Sequence, residues 1–293
     1  MIGYSIVQEI PAVRSGLALI ERECERQSGE VVGLLVGTCH QPALLYAFPP
    51  GPNAETSRLR CSSDPDFDQL LLKTVQLRHG NKVHVLGYWH KHPGRFTTPS
   101  LGDLRQAVQM VKKEGWDLSV GPLLVVIVTR DERTAKPAWK ASAFKLRKDL
   151  TGFDPVFLLW LDENHEKIIR CLESEKVDMR IPPIGLNPTA LPSQFREPVH
   201  YLETLGFQIR ILSGKNRKQF ALYVAQGHAA FAFIFSLEKG GPKEFLVDLG
   251  GGEHTLCCTG VQRQPGESIA DLIIKFSRAR RGSPILSATG YLS

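Results

Sequence analysis

The chain has 293 residues, with 36 lysines and arginines against 30 aspartates and glutamates, and its formal net charge at pH 7 is +6. Hydrophobic residues make up 42% of it and charged residues 23%, which is typical of a soluble folded protein and excludes gross disorder. The length favours two domains of roughly 150 residues each. The positive charge is spread along the chain, and its densest run, residues 275–281, is better explained as the solvated end of a helix than as a nucleic-acid contact. We therefore expect no nucleic-acid partner.

The start of the chain, MIGYSIVQEIPAVRSG, lacks the basic stretch and apolar core of a secretory signal. No apolar run in the sequence approaches the ~20 residues that a membrane helix requires. The six cysteines form no C-x-x-C pair, so the sequence does not favour a disulfide framework. We expect a cytoplasmic protein without a membrane partner.

The first part of the chain alternates between helical and β-type patterns. Apolar residues at helical spacing predict a helix over residues 12–27. Two short β-type runs, residues 30–37 and 43–48, then predict a hairpin in a sheet that is buried on at least one face. Residues 49–65 are rich in Pro, Gly, Asn and Ser without periodicity, so we expect a long loop there.

The next elements lead to the most informative part of the sequence. A helix is predicted over residues 67–80, followed by a strand over residues 83–89 that ends just before His90. Apolar spacing then predicts a helix that begins at Ser100 and ends near Gly115.

A second hairpin, residues 123–128 and 138–146, is predicted to close a first domain that spans residues 1–150. Residues 151–193 end in a proline-rich stretch and are assigned to a connector, and residues 194–293 to a C-terminal α+β domain. The predicted elements of that domain are a helix over 194–205, strands over 207–212, 219–224, 229–237 and 245–249, and a helix over 267–280. The chain as a whole is thus predicted to be of the α/β (α+β) class.

His90, His92, Ser100 and Asp103 form the pattern H-x-H-x₇-S-x-x-D. Side chains two apart on a strand project to the same face, so the two imidazoles face one side. Asp103 lies in the first turn of the helix that follows. Two imidazoles and a carboxylate are ligands for a catalytic zinc ion, whose fourth position stays open for water. We therefore predict one Zn²⁺ per chain, held by His90, His92 and Asp103.

Structural roles compete with this interpretation. Ser100 and Asp103 form S-x-x-D at a helix start, a variant of the capping box that alone would explain their spacing. The histidines could be half-buried strand residues with ordinary hydrogen bonds. However, the two histidines, Ser100 and Asp103 all occur at the spacing of one zinc-site pattern, and this favours the zinc site over the structural roles.

Two further clusters carry weaker patterns. Cys257 and Cys258 lie near His254 and could form a conjugating-type thiol or a second metal site, but adjacent cysteines without such a role explain them better. Residues 162–166 combine acidic residues with a histidine, which a solvated turn explains.

The segment GYWHKHPGRFTTPSLGD and the upstream segment EVVGLLVG resemble the JAMM (MPN-plus) metalloprotease family, which combines E-x-x-G-x-L-x-G with H-x-H-P and S-x-x-D. The resemblance covers about residues 5–148 and implies a cytidine-deaminase-like JAMM/MPN domain, with a mixed sheet flanked by helices. Lys91 departs from the small hydroxylated residue that members more often have between the histidines. The pairing of Trp89 with His90 and the sequence of residues 92–94 are closer to bacterial members.

The resemblance implies a role for each motif residue. Glu30 would be the general base that takes a proton from the attacking water and passes it to the leaving amine, although an exposed carboxylate at a strand start would also explain it. Ser100 would donate a hydrogen bond to the oxyanion that develops on the scissile carbonyl. His90, His92 and Asp103 would hold the zinc ion.

The resemblance also implies a zinc-dependent isopeptidase or peptidase that cleaves after the C-terminal glycine of ubiquitin or a ubiquitin-like modifier in a bacterial conjugation system. Its partners would be the modifier, its conjugates and components of that system. Residues 49–66 and 94–99 would form the walls of the site. Two alternatives stay open: a non-catalytic scaffold or binding protein on the same fold, and a peptidase for another small substrate. The C-terminal domain resembles RWD and ubiquitin-conjugating domains in the order of its elements only, and its role stays open.

Overall fold

The computed structural model describes residues 7–56, 61–92, 94, 96–131, 138–176, 193–213, 219–226, 229–238, 241–248, 257–260 and 267–282. The chain divides into two compact units, Met1–Pro183 with Glu253–Leu256, and Ile184–Gly252 with Cys257–Ser293. No helix in these described ranges combines the length and the apolar character that crossing a membrane requires.

A mixed sheet that closes on itself forms the centre of the first unit. Its strands are β1 (Gln8–Val13), β2 (Val32–Thr38), β3 (Ala43–Ala47), β6 (His84–Lys91), β7 (Leu124–Asp131), β8 (Ala138–Leu146) and β9 (Phe153–Leu161), in the order β1-β3-β2-β6-β7-β8-β9. The pairs β1–β3, β1–β9 and β6–β7 are parallel and the others are antiparallel. The predicted α/β class with a mixed sheet is therefore confirmed for this unit.

In the described part of this unit, four helices accompany the sheet: α1 (Arg14–Arg26), α2 (Pro65–Arg78), α3 (Leu101–Glu114) and α4 (Glu166–Ser174). The side chain of Asp64 caps α2 by accepting a hydrogen bond from the amide of Phe67 at 3.2 Å. Helix α3 ends at Gly115, which has a left-handed backbone (φ 73°) that glycine adopts without strain. This is the end that the sequence predicted.

The first unit continues past residue 150, so the predicted connector over residues 151–193 was wrong for residues 153–174. Strand β9 pairs with β1 over the full length of β1, from Gln8 opposite Val156 to Val13 opposite Leu161. Helix α4 then contacts β1 and β3. The proline-rich remainder, residues 177–192, lies outside the described residues.

The predicted loop over residues 49–65 is also not structureless. It contains a two-stranded antiparallel pair, β4 (Glu55–Thr56) and β5 (Cys61–Ser62), in which Glu55 lies opposite Ser62.

The second unit contains a five-stranded antiparallel sheet, with one helix before it and one helix after it in the chain. Its elements are α5 (Ser193–Thr204), β10 (Gln208–Ser213), β11 (Gln219–Gln226), β12 (Ala229–Glu238), β13 (Gly241–Asp248), β14 (Cys257–Gly260) and α6 (Ile269–Gly282). The prediction of four strands was wrong, because Cys257 and Cys258 belong to a fifth strand and do not follow the sheet. Phe195, Phe220 and Phe235 form the aromatic centre of the core, with ring centroids 4.7–5.1 Å apart.

Candidate metal centre

Strand β6 carries His90, and His92 follows directly after Lys91, the last residue of that strand. The strand lies inside the sheet of the first unit, where His90 is paired with Val32 of β2 and with Ile127 of β7. The amide of His92 donates to the carbonyl of Val128 at 2.9 Å. Each histidine is 8% exposed, and their ring centroids are 4.5 Å apart. The two imidazoles therefore share one face of a strand that is hydrogen-bonded on both sides, as the spacing predicted.

The first turn of α3 fixes the carboxylate. The Ser100 hydroxyl accepts from the amide of Asp103 at 3.2 Å, and Oδ2 of Asp103 accepts from the amide of Ser100 at 2.5 Å. These two bonds form a complete capping box. The hydroxyl of Tyr88 also donates to the carbonyl of Asp103 at 3.1 Å. The capping role is therefore present and orients the carboxylate that faces the histidines.

His90, His92 and Asp103 each offer one ligand atom, and these atoms lie within 4.8 Å of one another. Oδ1 of Asp103 is 3.0 Å from Nε2 of His90, and Oδ2 is 3.4 Å from Nε2 of His92. Ligands about 2.0–2.2 Å from a tetrahedral zinc ion lie about 3.3 Å from one another. The spacing of this cluster therefore fits a metal ion of that size.

The nitrogen atoms of the two rings also suit a cation. Nε2 of His90 is buried and has no partner with hydrogen-bonding geometry among the described residues, although Oδ1 of Asp103 is close to it. Nδ1 of His92 is 2.8 Å from the carbonyl oxygen of Phe96, which can only accept. The proton of a neutral His92 ring therefore sits on Nδ1, and Nε2 keeps a lone pair for a metal ion. An unpaired buried lone pair is costly, and a bound cation would satisfy it.

The charges of the cluster are strongly coupled. Burial alone would raise the pKa of Asp103, but its contacts with His90, His92 and Ser100 outweigh burial and hold that pKa well below its usual range. Burial alone would lower the pKa of His92, but Asp103, the carbonyl of Phe96 and the charge of Glu30 raise it. The carboxylate is thus ionised at neutral pH, and the raised pKa of His92 means that a metal ion would compete with a proton for its Nε2.

Glu30 lies just before β2, beside the cluster. Val32 is opposite His90, and the amide of Lys91 donates to the carbonyl of Val31 at 2.9 Å. Continued by one more residue, this antiparallel register puts Glu30 opposite His92 and on the same face. Its charge acts on His92, in agreement with that position. Glu30 is not part of the three-residue cluster.

Cys61 is a neighbour of the site that the sequence did not predict. Burial and then the charges of Glu30 and Asp103 raise the pKa of its thiol to about 11. Cys61 lies on β5, inside the segment predicted as a loop, and it has no fixed spacing from the motif that could have identified it.

The weaker clusters do not form a metal site in the described part of the chain, where His90, His92 and Asp103 are the one group of three close ligand residues. The side chain of His165 caps α4 by accepting from the amide of Lys167 at 3.2 Å. His254 lies outside the described residues, so a site with Cys257 and Cys258 stays untested.

Residues 14–142 match the family model of the prokaryotic homologs of the JAB domain. Among solved structures, a protein from Desulfitobacterium hafniense is 22% identical, with 52% of this chain and 92% of that chain covered and a TM-score of 0.38. A protein from Salinibacter ruber is 19% identical, with 53% of this chain and 94% of that chain covered and a TM-score of 0.35. No curated protein matches the chain.

The first unit is thus a mixed α/β domain with a buried group of two histidines and one aspartate that could hold a metal ion. The family match spans these residues together with Glu30 and Ser100, so this part of the chain is similar to the prokaryotic homologs of the JAB domain.

Proposed function

We propose that this protein is a zinc-dependent peptidase whose site is formed by Glu30, His90, His92, Ser100 and Asp103. The observation that carries the proposal is the buried cluster of His90, His92 and Asp103, in which Nε2 of His90 has no hydrogen-bond partner among the described residues. The match of residues 14–142 to the family model of the prokaryotic JAB-domain homologs supports the same chemistry. Two imidazoles with one carboxylate match the donor set of open, catalytic zinc sites.

A zinc ion at this site would supply Lewis acidity, which makes water a nucleophile at neutral pH. Glu30 lies on the same face as the histidines and takes the proton of the water that attacks the scissile carbonyl carbon. When the C–N bond breaks, the same carboxyl group gives that proton to the leaving amine. The second proton of the water stays on the new carboxyl group and is then lost to solvent. The products are therefore a carboxylate and a free amine, and Glu30 returns to its starting state.

Ser100 stabilises the negative charge on the scissile oxygen. Its hydroxyl oxygen accepts from the amide of Asp103, which uses a lone pair and leaves the O–H proton free to be donated. Ser100 is exposed, whereas His90, His92 and Asp103 are buried. The hydroxyl is thus on the side from which a substrate arrives.

We propose a ubiquitin-like protein with a C-terminal glycine as the substrate, cleaved at the peptide or isopeptide bond after that glycine. The support for this is the JAMM-like arrangement of the motif residues within a JAB-family domain. The conjugates of such a modifier and the components of its conjugation system are the partners that this activity requires, and the cytoplasm is the proposed location.

The experiment combines metal analysis with cleavage of reporters. Purified full-length protein is expected to contain about one zinc per chain and to release a fluorophore joined to the C-terminal glycine of a ubiquitin-like modifier. Glu30→Gln should keep the zinc and lose cleavage, whereas His90→Ala should lose both. Glu25→Gln, which changes an exposed carboxylate on α1, is the matched control and should behave like the wild type.

Each outcome has a defined meaning. Protein without zinc would overturn the metal site and favour a scaffold on the same fold. Cleavage of short peptides without cleavage of modifier reporters would overturn the substrate and keep the peptidase. Retained cleavage after Glu30→Gln would overturn the assignment of the base.

A further inference from the structure

Lys91 stands between the two histidines on β6 but faces away from them. Successive side chains of a strand alternate between its faces, so Lys91 projects to the side opposite His90 and His92. Its ammonium group Nζ donates to the carbonyl of Cys24 at 2.9 Å and to the carbonyl of Gln27 at 2.5 Å. Lys91 therefore contacts the end of α1 and leaves the metal ligands free.

These contacts are made with the C-terminal end of α1, which lacks a left-handed C-cap residue. At the C-cap of α1, Gln27 is extended (φ −109°, ψ 126°), so no left-handed residue turns the chain back onto the helix. The last four carbonyls of a helix lack partners within it, and that of Cys24 is one of them. A positive charge at this end is also favoured by the helix dipole. Lys91 thus supplies hydrogen bonds to this end and adds a positive charge to that of Arg26 in the last turn.

Lys91 contacts both ends of the segment that connects α1 to β2. The backbone amide of Lys91 donates to the carbonyl of Val31 at 2.9 Å, while its side chain holds the carbonyl of Gln27. Glu30 lies between these two anchor points. The ammonium group of Lys91 also lies 5.2 Å from the centroid of the Trp139 ring on β8. This cation–π contact restricts the lysine side chain.

We propose that Lys91 is a positioning residue that fixes Glu30 opposite His92 by anchoring both ends of residues 27–31. This inference rests on the proposed function, because Glu30 is the general base of that proposal. A misplacement of about 1 Å of a catalytic group can reduce a rate about 100-fold. The side-chain anchor at Gln27 can be removed by substitution, whereas the backbone anchor at Val31 stays.

The test uses zinc-loaded full-length protein with Lys91→Met, which keeps the length of the side chain, and Lys91→Arg, which keeps donors and charge. Lys112→Met on the exposed face of α3 is the control. Hydrogen exchange of the amides in residues 27–31 should be at least about tenfold faster in Lys91→Met and close to wild type in the other two variants. Zinc content and thermal unfolding, measured on the same samples, show whether each variant is folded.

The activity readout separates positioning from general stability. Lys91→Met should lower kcat about 10- to 100-fold with KM and zinc content unchanged, and Lys91→Arg should restore most of it. In a Glu30→Asp background, whose carboxylate is already displaced, Lys91→Met should lower kcat less than about threefold.

An equal loss in both backgrounds, or unchanged exchange in residues 27–31, would overturn the positioning role. A wild type that cleaves no reporter would overturn the proposed function instead. The exchange measurement would then decide by itself whether Lys91 orders the segment.

Discussion

The capping role of Ser100 and its proposed role at the oxyanion lead to a prediction in which stability and activity separate. Ser100→Ala removes the hydroxyl that caps α3 through the 3.2 Å bond from the amide of Asp103, but it leaves the bond from the amide of Ser100 to Oδ2 of Asp103. Loss of a serine cap lowers the free energy of unfolding by about 1 kcal/mol. Loss of an oxyanion donor lowers kcat by about 10²–10³-fold, or about 3–4 kcal/mol.

These magnitudes decide which effect an experiment would see. A domain with a free energy of unfolding of about 5 kcal/mol stays more than about 99% folded after it loses about 1 kcal/mol. Unfolding therefore cannot account for a 100-fold loss of cleavage. Ser100→Thr, which keeps a hydroxyl, should preserve most of the stability and most of kcat.

The assay is urea unfolding of the three zinc-loaded proteins together with kcat and KM on a modifier reporter. If Ser100→Ala keeps more than about a third of the wild-type kcat, the hydroxyl does not act on the oxyanion and the capping box is its whole role. An unchanged free energy of unfolding in Ser100→Ala would refute the capping energy instead.

Two further predictions concern the framework of the first unit. Burial raises the pKa of Asp68 to about 7, although the hydrogen bond with Ser63 lowers it. Between about pH 4 and pH 7 the folded state therefore keeps a proton on Asp68 that the unfolded state has lost. The free energy of unfolding of the wild type therefore falls as the pH rises through that window. In urea unfolding, the free energy of unfolding of Asp68→Asn should increase relative to that of the wild type by up to about 3 kcal/mol between pH 5 and pH 8. An equal difference between the two proteins at both pH values would contradict this. Gly33→Ala would put a Cβ 2.0 Å from the carbonyl oxygen of Phe48, so we expect a loss of about 3 kcal/mol by thermal unfolding. Gly152→Ala, whose nearest contact is 3.5 Å away, should be neutral, and a loss as large as that of Gly33→Ala would refute the steric argument.

The cluster of His90, His92 and Asp103 could be predicted because the sequence signals for it are local. His90 and His92 need only a strand period of two to share a face, and Asp103 needs only a helix start after Ser100. The capping box was considered as an alternative to a place beside the histidines, yet the structure combines the two, because the Asp103 carboxylate contacts the Ser100 amide and both histidines. Sequence spacing cannot reveal such shared use of one side chain.

The closure of the sheet could not be predicted for a different reason. Both β1 and β9 contain a proline, Pro11 and Pro155, and a proline in a β-type run argues against a strand because it cannot donate to the ladder. The two strands also pair in parallel across more than half of the chain, from Gln8 to Val156, and no local pattern encodes that partnership. Cys61 was missed for the same reason, since only the folded chain brings β5 to the motif.

Strand β6, which contains His90 and is followed directly by His92, is hydrogen-bonded to β2 on one side and to β7 on the other. Helix α3 is joined to the same strand by the bond from Tyr88 to the carbonyl of Asp103. In zinc fingers the metal ion must order the chain that binds it, so that folding and loading are one event. In this protein the scaffold itself sets the three candidate ligands in place. Loading with metal would then resemble the docking of an ion into a rigid receptor, and the domain would stay folded after the removal of a bound metal ion.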